Sequence, residues 1–135
     1  MVEIIVVIGI LTVIIAFGMV IDLNVFKGDT FRAEEATIVS ILEKARSRAM
    51  ANMFESPHGV CYISPDYVIF RDGICDKLGT DETVPSNTNI TVTFISATSV
   101  IFNQLAGTTT GATIRITDGV KIEDIIINNE GRINW

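Results

Sequence analysis

Among the residues of this chain that could do chemistry, Glu3 stands out, because it is the only charged residue in the first 21. It opens an uncharged run, Ile4 to Ile21, of the sequence IIVVIGILTVIIAFGMVI. A carboxylate placed there has two readings. It is an interfacial charge at a helix N-terminus, where the helix dipole favours it. Or it is meant to meet a cation once the helix leaves lipid for protein. An unpaired charge inside a helix bundle is costly, so the second reading requires a partner.

The remaining candidates carry less. The two cysteines, Cys61 and Cys75, lie beyond the apolar run. If that part of the chain is exported, a disulfide is the natural reading over two unpaired buried thiols. His58 is the only histidine and there is no second cysteine pair, which argues against zinc. Asp76, Asp81 and Glu82 flank or lie in a polar loop, Lys77 to Thr88, but their spacing matches no cation loop, and a solvated loop is the better reading. Glu123 and Asp124 are neighbours in a strand pattern, so their side chains should point to opposite faces. Asn89-Ile90-Thr91 fits the N-glycosylation acceptor pattern. Its place where a strand begins counts against it. There is no glycine-rich phosphate loop and no G-x-S-x-G, so no active site and no cofactor are expected.

The elements that position these residues follow from composition and period. The 135 residues are enough for one domain, with 16 acidic and 10 basic residues and a formal net charge of -6. That balance argues against a general phosphate-binding surface. Mean hydropathy is +0.44, high for a soluble domain, and the excess sits between Met1 and Ile21. About 18 residues at 1.5 Å each span roughly 27 Å, close to the hydrocarbon core of a bilayer. A signal peptide would have a basic stretch before this run and a small-x-small cleavage site after it, and the sequence has neither. A retained membrane helix is expected.

Residues 18–30 (GMVIDLNVFKGDT) hold several poor helix formers, and they read equally as a break in the helix or as a continuous, frayed one. A second helix is expected over 31–53, capped by Asp29 or Thr30. Glu34 and Glu35 fall in its first turns, and Ile38, Ile41, Leu42, Ala45 and Ala49 form one apolar face. Lys44, Arg46 and Arg48 read as a solvated face, offset by Glu34, Glu35 and Glu43. From Gly59 the period becomes two. Strands are expected over 59–63 and 67–70 around a Ser64-Pro65-Asp66 hairpin, then at 91–94, 100–102 and 112–117. Asp118-Gly119 signals a hairpin, followed by 120–127 and, after an Asn129-Glu130-Gly131 turn, 132–135. The expected fold class is α+β, with a long N-terminal helix, apolar in its first half, packed against an antiparallel sheet over 59–135. Residues 1–29 would form the apolar segment and 30–135 the globular domain.

The stretch Met1-Val2-Glu3-Ile4-Ile5-Val6-Val7-Ile8-Gly9-Ile10-Leu11 resembles the N-terminal signature of type IV pilins and type II secretion pseudopilins. In that family a prepilin peptidase cuts after a glycine, and the mature chain begins with Phe, Thr, two apolar residues and Glu. By that pattern Glu3 matches the family's glutamate, and two residues of the mature protein would precede Met1. Three further features resemble the GspH/FimT branch: Leu42-Glu43-Lys44-Ala45-Arg46-Ser47-Arg48-Ala49, Val100-Ile101-Phe102 followed by Gly107, and Ile125 to Ile133 with its Gly131-Arg132 ending.

The resemblance implies a subunit held in the inner membrane and then built, by an assembly machinery, into a homo-oligomeric helical filament, either an extracellular pilus or a periplasm-spanning pseudopilus. Glu3, Ile4, Ile5, Val6, Val7, Ile8, Ile10 and Leu11 would be the assembly residues. Two other functions stand beside it. One is a FimT-like minor pilin that binds DNA, for which Arg132 is the residue that matches, without the further basic residue that such proteins carry. The other is a plain single-pass anchor bearing a binding domain.

Overall fold

Val2–Gly18 form helix α1, 17 residues long in a computed structural model that describes residues 2–18, 23–76 and 82–135. Valine and isoleucine are poor helix formers in water, because branching at Cβ restricts their rotamers. In an apolar medium the helix prevails, since it satisfies every backbone group internally. Thr12 follows the same rule. Its hydroxyl donates back to the carbonyls of Ile8 (3.0 Å) and Gly9 (2.8 Å) and leaves the apolar surface uninterrupted. Among the described residues no helix is long and apolar enough to cross a membrane. The apolar sequence itself continues to Ile21, and residues 19–22 lie outside the described residues.

Helix α2 is Leu23–Met50. Of the segment 18–30, which the sequence left open between helix and break, residues 23–30 are helical. The chain divides into two compact units, Met1–Thr30 and Phe31–Trp135. In the second unit, Ile38, Ile41, Leu42, Ala45 and Ala49 are all buried, as their spacing requires. Phe31 and Val39 join them. The helix ends at Met50, three residues before the expected boundary. Asn52 adopts a left-handed conformation (φ 53°), which an asparagine tolerates and which stops the helix. The carbonyl of Ala49 accepts from the Asn52 N–H at 3.1 Å and from the Leu105 N–H at 2.9 Å, and a 3-10 turn, Met53–Glu55, follows.

The strands form two antiparallel sheets, where a single one was expected. β1 (His58–Ile63), β2 (Asp66–Arg71), β3 (Glu82–Pro85) and β5 (Ser99–Phe102) make the first, in the order β3-β2-β1-β5. β4 (Thr91–Phe94), β6 (Ala112–Thr117), β7 (Ile122–Ile127) and β8 (Ile133–Asn134) make the second, in the order β4-β6-β7-β8. β3 falls inside the segment expected to be loop. It is a short edge strand, and Pro85 ends it without interrupting a central ladder. The Asp118-Gly119 hairpin is longer than a two-residue turn. Asp118 Oδ1 accepts from the N–H groups of Val120 (2.9 Å) and Lys121 (2.7 Å), and Thr117 pairs with Ile122 across a four-residue loop.

Both sheets and the apolar face of α2 share one core, with Leu42, Ala45, Phe102, Ile114, Ile116 and Ile125 wholly buried. The far face of the first sheet carries a smaller cluster of Cys61, Val68 and Phe70. The disulfide Cys61–Cys75 ties the segment after β2 to this face. Gly59 is required beside it. A Cβ there would lie 2.5 Å from the Phe70 ring and 2.6 Å from the Val100 carbonyl oxygen.

Two outcomes are expected. The fragment 31–135 should be soluble, monomeric and folded, because among the described residues no core residue precedes Phe31; sedimentation and circular dichroism check this, and aggregation would refute it. In that fragment Cys75→Ser should lower unfolding stability by about 3 kcal/mol, the loss expected for opening a loop of this length. Reductant should do the same to the wild-type fragment and nothing to the variant.

Candidate assembly surface

All the assembly residues expected from the sequence lie on α1, and all are exposed. The large aliphatic side chains range from 52 % exposed at Leu11 to 76 % at Val2, and Ile4, Ile5, Val6, Val7, Ile8 and Ile10 fall between. They point to every side, since no helical face between Ile4 and Ala16 is polar apart from the self-bonded Thr12. A helix apolar all round needs an apolar cover, either lipid or the inside of a protein assembly. Glu3 borders two open depressions, one walled by Val2, Val6 and Val7 and the other by Ile4, Val7 and Ile8. It makes no ion pair with another described residue. The carboxylate therefore stands at the foot of an apolar surface shaped in ridges and hollows, the form that neighbouring helices pack against.

Several polar groups of the second unit are held by internal pairing. Glu34, buried at 6 % exposure, accepts from the Tyr67 hydroxyl at 2.5 Å and from the Asn87 N–H at 3.2 Å. Burial, together with this carboxylate, pushes the Tyr67 hydroxyl far above the usual tyrosine range, so Tyr67 remains a neutral donor. Sequence reasoning placed Glu34 in a favourable first turn and missed its burial. Its position four residues before Ile38, on the same face as Leu42, Ala45 and Ala49, was the available signal.

Two of the three cations assigned to a solvated face share one partner: Lys44, at 2.5 Å, and Arg48 both bond the Glu82 carboxylate. Arg46, the third, crosses to the β7–β8 turn and donates from Nη2 to the Glu130 carbonyl at 3.2 Å. Gly131 permits that approach. With φ +76°, it has no room for a Cβ, which would lie 2.0 Å from the Gly107 oxygen and 3.1 Å from Arg46 Nε. The arginine of the helix-end pattern and the two glycines of the later patterns thus meet at one place.

The residues weighed for chemistry from the sequence are held in separate places. The described residues contain no group of three or more potential ligands that could hold a metal ion. Glu82 is taken by its two cations, and Asp81 lies outside the described residues. His58 is buried, donates from Nδ1 to the Ser56 carbonyl at 3.0 Å, and has its pKa lowered mainly by that burial. Asp124 grips Arg115 through two bonds, at 2.7 and 2.8 Å. Arg132, the residue that matches the DNA-binding pattern, is exposed and forms no ion pair with another described residue.

The Glu82 network has a pH signature. The hydrogen bond from Lys44, with Arg48 beside it, holds the Glu82 carboxyl below the usual carboxylate range. A depressed folded-state pKa contributes stability at neutral pH, which is lost as pH falls through that value. At partly exposed pairs the contribution is about 0.2–1 kcal/mol. Glu82→Gln should lower stability by that amount at pH 7, and the difference from wild type should shrink on acidification and in high salt. Denaturation curves at pH 7 and pH 3 check it, and a constant difference would refute the assignment.

Compared with models of protein families, with curated proteins and with solved structures, the chain matches none.

Proposed function

We propose that this chain is the structural subunit of a filament of the type IV pilin kind, either a pilus or a type II secretion pseudopilus, and that its apolar N-terminal segment holds it in the inner membrane before assembly. The observation that carries this is α1, which exposes aliphatic side chains on all sides and bears a single charge at its start. Every described residue of the second unit's core lies at or after Phe31. The N-terminal signature around Glu3 agrees with that division of labour.

The mechanism is transfer between two apolar surroundings. In the membrane the Glu3 carboxylate can reach the headgroup region, where it stays hydrated. When the helices bundle, their side chains exchange lipid for each other, and the carboxylate loses access to water. It then needs a cation, and the resemblance implies the amino terminus of a neighbouring subunit. The pair fixes the axial step between subunits, because only one offset brings the two groups together. The globular units form the outside, with the peptidase and assembly machinery of the family as partners, and no enzymatic step belongs to the subunit itself.

Glu3→Leu separates the two stages. Leucine is favoured in lipid, so abundance in the membrane fraction should be unchanged. Assembly should fail, because removing one member of a buried pair costs about 3–5 kcal/mol. That loss corresponds to about two to three and a half powers of ten in the association constant. Filament yield measured beside membrane abundance decides the matter. Equal yield at equal abundance would leave Glu3 as an interfacial charge on a plain membrane anchor.

A further inference from the structure

We infer that Asn89 is an acceptor for N-linked glycosylation, presented by the folded and oxidised chain. The sequence objection was that Asn89-Ile90-Thr91 lies at the start of a strand. The structure removes it, because β4 begins at Thr91 and Asn89 sits in the turn before it. The turn is well defined: the Ile90 N–H donates to the Asn87 carbonyl, and the Asn89 N–H donates to Asn87 Oδ1, each at 3.0 Å. Ile90, 5 % exposed, is driven into the core and acts as the anchor. On either side of this anchor Asn89 and Thr91 are both exposed. The Asn89 side-chain amide makes no hydrogen bond to another described residue, so the fold does not need it. β4 is also an edge strand, paired among the described strands only to β6.

The compartment agrees. The Cys61–Cys75 disulfide belongs to an oxidising space outside the cytoplasm, where lipid-linked oligosaccharide donors are used. The donor class is a polyprenyl-diphosphate-linked oligosaccharide. A bond forms between Asn89 Nδ2 and the anomeric carbon of the first sugar. The bond from that carbon to the diphosphate oxygen breaks, and the lipid diphosphate leaves with the electron pair. The amide gives one proton to a base of the transferase, and no oxidant or reductant is involved. The Thr91 hydroxyl supplies the second recognition element. This goes beyond the filament proposal and shares with it only the export of Phe31–Trp135.

The test uses the full oxidised chain in detergent. It is incubated with a solubilised oligosaccharyltransferase that accepts any N-x-S/T and with a polyprenyl-diphosphate oligosaccharide. Intact mass should show one oligosaccharide on most wild-type chains, carried by the peptide containing Asn89. Thr91→Ser should keep it, while Thr91→Ala and Asn89→Gln should lose it entirely with the disulfide and fold intact. The inference is overturned if the folded chain stays unmodified, whether or not the reduced and unfolded chain is modified, or if the sugar sits elsewhere. None of these outcomes alters the Glu3→Leu comparison, which reads α1 alone.

Discussion

Two four-stranded sheets that share no strand pairing are joined in one core by a single face of α2, the line of Ile38, Leu42, Ala45 and Ala49. Neither sheet alone could bury its apolar side, and the helix closes both. The small residues at the end of that line matter as much as the large ones. Ala45 and Ala49, each with no exposed surface, let the backbone of the 103–108 segment come close enough for Leu105 to cap the helix. Arg46 then reaches the β7–β8 turn across two glycines. Packing at this end is thus decided by what is missing from the side chains.

The burial of Glu34 fits this arrangement. A carboxylate inside a core is tolerated only where hydrogen bonds replace its water. Tyr67 comes from the first sheet and Asn87 from the connection between the sheets. Together they position the start of the helix face against two elements at once. Hydrogen bonds to a charged group are stronger than neutral ones, so the pairing is directional where the apolar core is not.

Much of this was legible in the sequence. Period 3.6 gave the core face of α2, and period two gave seven of the eight strands. The Ser64-Pro65 hairpin followed from local residue chemistry, and the cysteine pair from the export that the N-terminal segment suggested. What was missed depends on contacts far apart in the chain. β3 hides in a polar stretch because an edge strand needs little apolar surface. The division into two sheets is invisible, since alternation marks a strand without naming its partner. At Asp118, side-chain acceptance from two N–H groups overrode the preference of Asp-Gly for a two-residue turn. At the candidate surface the apolar run and its single charge were plain to read. Glu82 was recognised only as a loop carboxylate, because Lys44 and Arg48 lie more than thirty residues away.

The strand order also constrains how the chain can acquire its structure. β5 follows β4 in sequence but lies in the other sheet, where His58 pairs with Phe102. The chain leaves the first sheet after β3, begins the second with β4, returns to complete the first, and then finishes the second. Neither sheet is a contiguous piece of sequence, so neither can form while the rest of the chain is absent. Pairings this distant carry a large loop-closure cost before any contact compensates for it, which slows folding and makes it cooperative. A partly emerged chain would expose the unpaired edge of β1 until β5 arrived. The unit Phe31–Trp135 is therefore expected to gain its structure late and all at once.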